Sequence, residues 1–246
     1  MIYFYYLLFF FLIIFLFFFK NLNEYFDVKK NLGYLQGVIV DKNFYYLVYS
    51  KGILKFNIKT NQFNKSTKYN KNLKHLNGGI IYNNMLYLTN NPKNGKNSLE
   101  IFDKELNYIT RIKLDKLKGS LTWIDFYKGY FFGLLAYYKD EVKKTRIVKF
   151  DNQFNIIKQW KIPKSILNRL YPNSISGGQF NKTSGILFLT GHDKKEIYLM
   201  NLNNNLKYIK TLKTSIAGQG ISFNKNNDKY LWGIDRKNNK IIKSHI

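Results

Sequence analysis

The hydrophobic and polar positions of the 246-residue chain divide it into two unequal parts. Residues 1–19 contain no charged or strongly polar side chain, and Lys20 ends this run. Beyond residue 30, short apolar or alternating runs are separated by Asn, Asp, Gly and Lys, and the one helix-like segment covers Lys164–Leu170. The pattern predicts one N-terminal hydrophobic helix followed by many short β-strands.

The larger part contains a repeat. An alternating run recurs at intervals of about 44 to 50 residues, at 52–57, 98–103, 146–151, 196–201 and 240–243. Two earlier runs recur in step with it and a weaker run follows it, so that each unit reads as four strands joined by turns. An interval of this length is typical of a four-stranded propeller blade.

The repeats therefore predict an all-β fold, a β-propeller of about five four-stranded blades, with six blades as the alternative. The last unit ends at Ile246 without a fourth strand, and we expect the segment Glu24–Lys30 to supply it and close the ring. The predicted domains are residues 1–20, a transmembrane anchor or signal segment, and residues 21–246, the propeller.

The N-terminal run predicts an attachment to a membrane. As a helix, residues 1–19 would rise about 28 Å, close to the thickness of the hydrocarbon core. No basic residue precedes the run, and Phe17–Phe19 stand where a cleavage site needs small residues, which favours an uncleaved anchor over a cleaved signal. Lys20, Lys29 and Lys30 would by the positive-inside tendency keep the domain in the cytoplasm. A leader of this kind on a propeller nevertheless favours export, so we expect a membrane-anchored or secreted protein with an extracytoplasmic domain.

Composition excludes several classes of function. The formal net charge is +25, but the lysines are spread over nearly every turn, which disfavours nucleic acid as a partner. The chain has no cysteine, so disulfides, thiolate catalysis and cysteine metal sites are excluded. The sequence also contains no nucleophile elbow, no phosphate-binding loop and no dinucleotide-binding fingerprint.

Candidate chemistry is expected at the propeller face where first strands start and second strands end, because loops on a rigid scaffold line the channel mouth there. His75 and His192 come from different units and are the candidates for metal binding or acid–base catalysis, with Asp193 and Asp235 as further catalytic candidates that would orient them. The residues expected to bind a ligand at this channel face are Gln36, Asn77, Thr122, Asp125, Gln179, Gln219 and Arg236.

Four phrases of the sequence carry a resemblance: Leu76–Gly79, Gly119–Asp125, Thr190–Asp193 and Gly218–Ile221. They resemble an uncharacterised group of exported β-propellers that is distantly similar to NHL-repeat and gluconolactonase-type propellers. The resemblance covers residues 30–246. It implies a propeller fold, and the gluconolactonase type implies a divalent metal held by acidic and amide side chains at the channel mouth. This chain offers Gln, His, Asn and Ser at most of those positions.

Three functions from different classes remain open. The first is a membrane-anchored or exported module that binds a small or extended ligand, or a protein, through its polar channel face. The alternative is a metal-dependent hydrolase of the lactonase kind, or an isomerase, using His75 and His192 with a divalent metal as cofactor. The third is a scaffold whose blades bind another protein.

Overall fold

The protein is described by a computed structural model, which covers Phe10 and residues 32–68, 70–92, 96–202, 205–224 and 227–246. β-Strands dominate these ranges, so the predicted all-β fold class is confirmed. The predicted membrane segment (Phe10 aside) and the predicted closing strand Glu24–Lys30 lie outside the described residues. No helix within the described ranges is both long and apolar enough to cross a bilayer.

The strands form one seven-stranded and three four-stranded sheets. The seven-stranded sheet comprises β1 (Leu35–Val40), β2 (Phe44–Tyr49), β3 (Gly52–Asn57) and β4 (Phe63–Ser66), with β17 (Gly218–Asn224), β18 (Asn227–Asp235) and β19 (Lys240–His245). The second sheet comprises β5 (Leu76–Tyr82), β6 (Met85–Asn90), β7 (Ser98–Asp103) and β8 (Tyr108–Lys113). The third comprises β9 (Ser120–Tyr127), β10 (Tyr130–Ala136), β11 (Arg146–Phe150) and β12 (Ile156–Lys161). The fourth comprises β13 (Gly177–Phe180), β14 (Leu187–Thr190), β15 (Glu196–Asn201) and β16 (Lys207–Lys213).

Each four-stranded sheet is an antiparallel meander, in which consecutive strands are hydrogen-bonded neighbours. The seven-stranded sheet consists of two such meanders, joined where β1 runs parallel to β17 at Gly37 and Gly220. Two short helices occur among the described residues. A 3-10 helix, Lys139–Lys144, connects β10 to β11. The helix α1, Lys164–Leu170, follows β12 and coincides with the segment predicted from the sequence.

The inner three strands of each four-stranded sheet are mostly buried, and the fourth is not. The third strands β3, β7 and β15 are buried along almost their whole length, because neighbours cover them on both sides. The fourth strands β8, β12 and β16 are largely exposed, which explains why their sequences show the weakest hydrophobic pattern. The predicted fourth strands thus exist, in the positions where the repeats placed them.

The first strands line a common axis. Along the described chain, β1 contacts β5, β5 contacts β9, β9 contacts β13, β13 contacts β17, and β17 contacts β1. Apolar clusters fill the spaces between neighbouring sheets; one of them joins Tyr46 and Val48 of the first meander to Leu88 and Phe102 of the second sheet. Because each sheet is buried on both faces by its neighbours, the core is a set of inter-sheet layers around the axis.

Candidate ligand-binding site

The arrangement gives the molecule two faces. At the start face, the first strands begin and the second strands end, as at Leu76 and Asn90, which are paired. At the hairpin face, tight turns join first to second strands, as between Tyr127 and Tyr130. The sequence predicts ligand binding at the start face.

Glycines and one tryptophan fill the axis between the two faces. A Cβ on Gly37 would lie 2.9 Å from the Cα of Gly220, and a Cβ on Gly220 would lie 3.2 Å from the Cα of Gly78, so these backbones touch. A Cβ on Gly178 would meet the Trp123 ring at 2.6 Å. The Trp123 side chain is 1% exposed. The axis is therefore occupied at this level by the first strands and the indole.

Four predicted ligand-binding residues lie at the start face and are buried: Gln36, Asn77, Thr122 and Gln219. Thr122 Oγ1 donates to the backbone oxygen of Ile175 at 3.3 Å, and Asn77 Nδ2 donates to that of His75 at 3.3 Å. The Thr122 contact joins the first strand of the third sheet to the chain that leads into the fourth. These contacts show an internal structural use for Asn77 and Thr122.

His75 lies in the connection that leads into β5. Its backbone N–H donates to Asn90 Oδ1 at 3.0 Å, and Asn90 Nδ2 in turn donates to the carboxylate of Glu100 at 2.8 Å. Burial lowers the pKa of the His75 imidazole, which favours its neutral form.

His192, Asp193 and Arg236 form a second cluster at the start face, between the fourth sheet and β18. His192 Nδ1 lies 2.8 Å from Asp193 Oδ2, and the Arg236 guanidinium lies 2.7 Å from that oxygen and 3.1 Å from His192 Nε2. Burial lowers the pKa of His192, and the positive charge of Arg236 acts in the same direction, whereas Asp193 opposes it. Asp193, Asp235 and Arg236 line one cavity of about 760 Å³.

Asp235 is held by the turn that follows it. Asn238 Nδ2 donates to Asp235 Oδ2 at 2.7 Å, and this hydrogen bond lowers the pKa of the carboxyl. Among the described residues, no group of three or more His, Asp or Glu side chains is placed to hold a metal ion.

A cavity of about 470 Å³ opens at the hairpin face. Every first strand contributes to it, and its apolar wall includes Ile39, Ile80 and Phe223. Asp125 and Gln179, which the sequence analysis grouped with the start-face residues, line this cavity instead. The structure therefore separates the predicted ligand-binding residues into two sets on opposite sides of the filled axis.

Asp125 is the most deeply buried charged group of the hairpin-face cavity, at 2% exposure. Its Oδ1 accepts from the Phe126 N–H, and its Oδ2 accepts from the Phe180 N–H, both at 2.8 Å. Lys182 Nζ lies 2.7 Å from Oδ2 and also donates to the Phe126 carbonyl at 2.6 Å. Burial raises the pKa of Asp125, and the Lys182 ammonium and the two backbone N–H groups oppose that rise.

Polar side chains link neighbouring first strands around the same cavity. Ser222 Oγ accepts from the Val40 N–H at 3.0 Å, and Gln179 Oε1 accepts from the Phe223 N–H. These contacts occupy backbone groups at the axis, where the sheets diverge and the regular ladder between β1 and β17 is limited to one residue pair. These two hydrogen bonds therefore join neighbouring first strands at the cavity.

Comparisons with known proteins place the fold. No family model matches the chain, and no curated protein matches it. Among solved structures, hydrazine synthase of Kuenenia stuttgartiensis superposes with a TM-score of 0.54 at 9% identity, over 85% of this chain and 82% of that one. A streptogramin B lyase gives a TM-score of 0.49 at 14% identity over 86% and 68%. A functionally unknown protein from Desulfotomaculum acetoxidans gives 0.47 at 8% over 87% and 68%.

The fold is of the β-propeller type. Similarity at 9% identity shows the fold and carries no statement about activity. Within the propeller, Lys182, Ser222 and Asp228 also line a cavity, although the sequence did not identify them as candidates. Lys182 and Asp228 belong to segments that read as ordinary turns, and the signal that could have found them is Asp125, a carboxylate within an otherwise uncharged first strand.

Proposed function

We propose that this β-propeller is a non-catalytic module that binds a small molecule in the hairpin-face cavity. The observation that supports it best is the ion pair between the buried Asp125 and the half-exposed Lys182, which both line a cavity to which every first strand contributes. A volume of about 470 Å³ lies within the range of small-molecule sites, which combine apolar walls with a few fixed polar groups.

The charges of the cavity indicate the chemistry of the ligand. Among the described residues that line it, Asp125 and Asp228 stand beside one lysine, Lys182, in a chain that has 40 basic and only 15 acidic residues. An acidic excess at this place favours a ligand that donates hydrogen bonds through hydroxyl or amino groups. Gln179, Asn83 and Thr183 add neutral polar groups at the rim.

The Asp125–Lys182 pair tests the proposal. The full chain in detergent is titrated by calorimetry with glucosamine, ethanolamine and myo-inositol, and any that bind are titrated into Asp125→Asn and Lys182→Gln variants. We expect binding to weaken about tenfold or more in Asp125→Asn, because a charge-assisted hydrogen bond is lost. Lys195→Gln, which lies at the start face, is the matched control and should bind as the unchanged protein does. Equal affinity of Asp125→Asn and the unchanged protein would overturn the site.

We propose that the ring consists of five blades and that the last blade combines β17, β18 and β19 with the segment Glu24–Lys30. The circular order of contacts among the first strands supports this count. The six-blade alternative would need another first strand in that circle.

We further propose that residues 1–19 attach the propeller to a membrane and that the propeller lies outside the cytoplasm. The uncharged apolar run supports this. The full chain should remain in the membrane pellet after alkaline carbonate extraction, whereas a Phe10→Lys, Leu12→Lys variant should be extracted. Protease added to intact cells should reach the propeller, and protection from it would contradict the orientation.

A further inference from the structure

The ammonium group of Lys182 is held at the wall of the hairpin-face cavity by two oxygen atoms. Its Nζ lies 2.7 Å from Asp125 Oδ2 and 2.6 Å from the Phe126 carbonyl oxygen, and all three residues line the cavity. The rings of Tyr127 and Phe180 lie within cation–π range, with centroids 5.6 and 5.7 Å from the same nitrogen. Together these groups form a subsite that fits one ammonium group.

Lys182 differs from the other groups that donate to the Asp125 carboxylate. The other two donors are the backbone N–H groups of Phe126 and Phe180, which belong to β9 and β13. The Lys182 side chain is 48% exposed and lies in the turn between β13 and β14. Its ammonium group stands on a flexible stem and can turn out into solvent, whereas the backbone groups cannot leave without moving a strand.

The charge of Asp125 limits what can replace this ammonium group. Asp125 is 2% exposed, and a buried carboxylate that has lost its cation is strongly destabilised. A hydroxyl group would leave the charge uncompensated, and its single proton could serve only one of the two oxygen atoms. A primary ammonium group carries the required charge and has N–H donors for both. The subsite is therefore selective for ammonium groups.

We propose that the Lys182 ammonium group occupies the subsite for an ammonium group of the ligand, and that an aliphatic primary amine exchanges with it there. The inference rests on the function proposed above for the hairpin-face cavity, and it narrows the ligand from hydroxyl or amino compounds to amines. Lys182 then determines specificity by competition, because a ligand enters the subsite only if it outcompetes a tethered cation.

Chemical rescue tests the subsite with ethylammonium, a soluble copy of the end of the lysine side chain. The Lys182→Ala variant of the full chain, in detergent, is melted at constant ionic strength and pH 8, where the amine is still protonated. The substitution should lower the melting temperature by about 2 °C or more, because Asp125 loses its cation, and ethylammonium should raise it again. Tetramethylammonium, which has the same charge but no N–H donor, should not.

Two variants locate the rescue. Lys182→Ala combined with Asp125→Asn should not respond to ethylammonium, because the double variant carries no charge in the subsite. Lys96→Ala, which removes the lysine of an exposed pair with Asp115, is the matched control and should show neither the loss nor the rescue. A melting temperature of Lys182→Ala that ethylammonium leaves unchanged, or that tetramethylammonium raises equally, would overturn the subsite.

Calorimetry tests the exchange itself. The Lys182→Ala variant should bind ethanolamine about tenfold more tightly than the unchanged protein, because the ligand no longer displaces a tethered cation. The affinity for myo-inositol, which has no ammonium group, should not rise. Equal affinity of the two proteins for ethanolamine would overturn the competition.

Failure of this inference and failure of the proposed function are distinguishable. If Asp125→Asn weakens ethanolamine binding but Lys182→Ala does not strengthen it, the cavity is the binding site and the competition by Lys182 is wrong. If glucosamine, ethanolamine and myo-inositol all fail to bind the unchanged protein and its variants, the proposed function is wrong, and the response to ethylammonium still decides whether the ammonium subsite exists.

Discussion

One residue position in each first strand determines how closely the sheets approach the axis. Gly37, Gly78, Gly178 and Gly220 occupy it in four strands, and Trp123 occupies it in the remaining one. A Cβ on Gly37 would collide with the backbone of Gly220 at 2.9 Å, and one on Gly220 would crowd the backbone of Gly37 at 3.1 Å. One large indole thus fills the space that the glycines leave.

Substitutions at this position test whether the Trp123 indole fills the space that the glycines leave. Trp123→Ala should lower the free energy of unfolding by about 3–5 kcal/mol, because it removes a fully buried ring and leaves a cavity. Gly178→Ala should lower it by about 1–3 kcal/mol, since the new methyl group overlaps the ring. Urea unfolding measures both.

The double variant is the control for this pair. With the indole gone, the alanine at position 178 no longer meets the Trp123 ring, so the two losses should be smaller together than their sum. Strictly additive losses would contradict the contact.

At the scale of single elements, a buried glutamate connects the helix α1 to the fourth sheet. Glu196, at the start of β15, is 4% exposed and is bound by Arg169 of α1, by Lys213 of β16 at 2.6 Å and by the Tyr198 hydroxyl at 2.9 Å. The hydrogen bond from Arg169 is the chief cause that lowers the pKa of Glu196 to about 2.

This network predicts a pH-dependent stability. Because the folded pKa lies below the ordinary value of 4.5, the stabilisation is fully present above pH 4.5 and is lost as the pH falls towards 2. Glu196→Gln should lower the free energy of unfolding by about 1–3 kcal/mol at pH 7, and the difference should shrink towards pH 2.5. Glu141→Gln, at an exposed pair with Lys144, is the control and should change little. A constant difference across this pH range would argue against the network.

Strands could be predicted from the sequence because their signal is local. β7 and β15 alternate between residues that face different inter-sheet layers, and the repeat interval fixes their place in each unit. The weakly patterned β12 was predicted only because the unit needs a fourth strand. The helix α1 was predicted from its own apolar spacing, with Ile166, Leu167 and Leu170 buried.

The site could be predicted only in part, because its geometry is not local. Asp125 and Gln179 lie in first strands, as the repeats predict, but the sequence placed them at the start face, whereas they line the cavity at the hairpin face. Which end of the axis is open depends on the volumes of the side chains that meet at the axis, above all the volume of the Trp123 side chain. Lys182 was missed since its contact with Asp125 joins residues 57 positions apart, and its turn gave no sign of a partner.

For the whole molecule, the ring depends on how the last meander is completed. The outer strand β19 is exposed or only partly buried throughout, unlike β3, β7 and β15, its equivalents in the other meanders. The proposed pairing with Glu24–Lys30 would cover β19, and such cover is expected since an unpaired strand edge is a template for association with other chains.

Cysteine cross-linking tests the closure, and the absence of native cysteine makes the result unambiguous. Phe26→Cys combined with Ile242→Cys should form a disulfide on oxidation, seen as a shift in electrophoretic mobility that reductant reverses. Phe26→Cys combined with Ile157→Cys, on the outer strand β12, is the control pair. Equal cross-linking of both pairs, or neighbouring positions of Glu24–Lys30 that all fail to react, would refute closure.

The indole at the axis has one more consequence. A propeller with an open central channel could let a molecule pass from one face to the other, but here the Trp123 side chain blocks the axis between the two faces. A ligand in the hairpin-face cavity must therefore enter and leave through the same opening. A molecule at the start face cannot reach that cavity along the axis. At the hairpin face the propeller thus forms a cavity that is closed at its inner end, not a channel through the molecule.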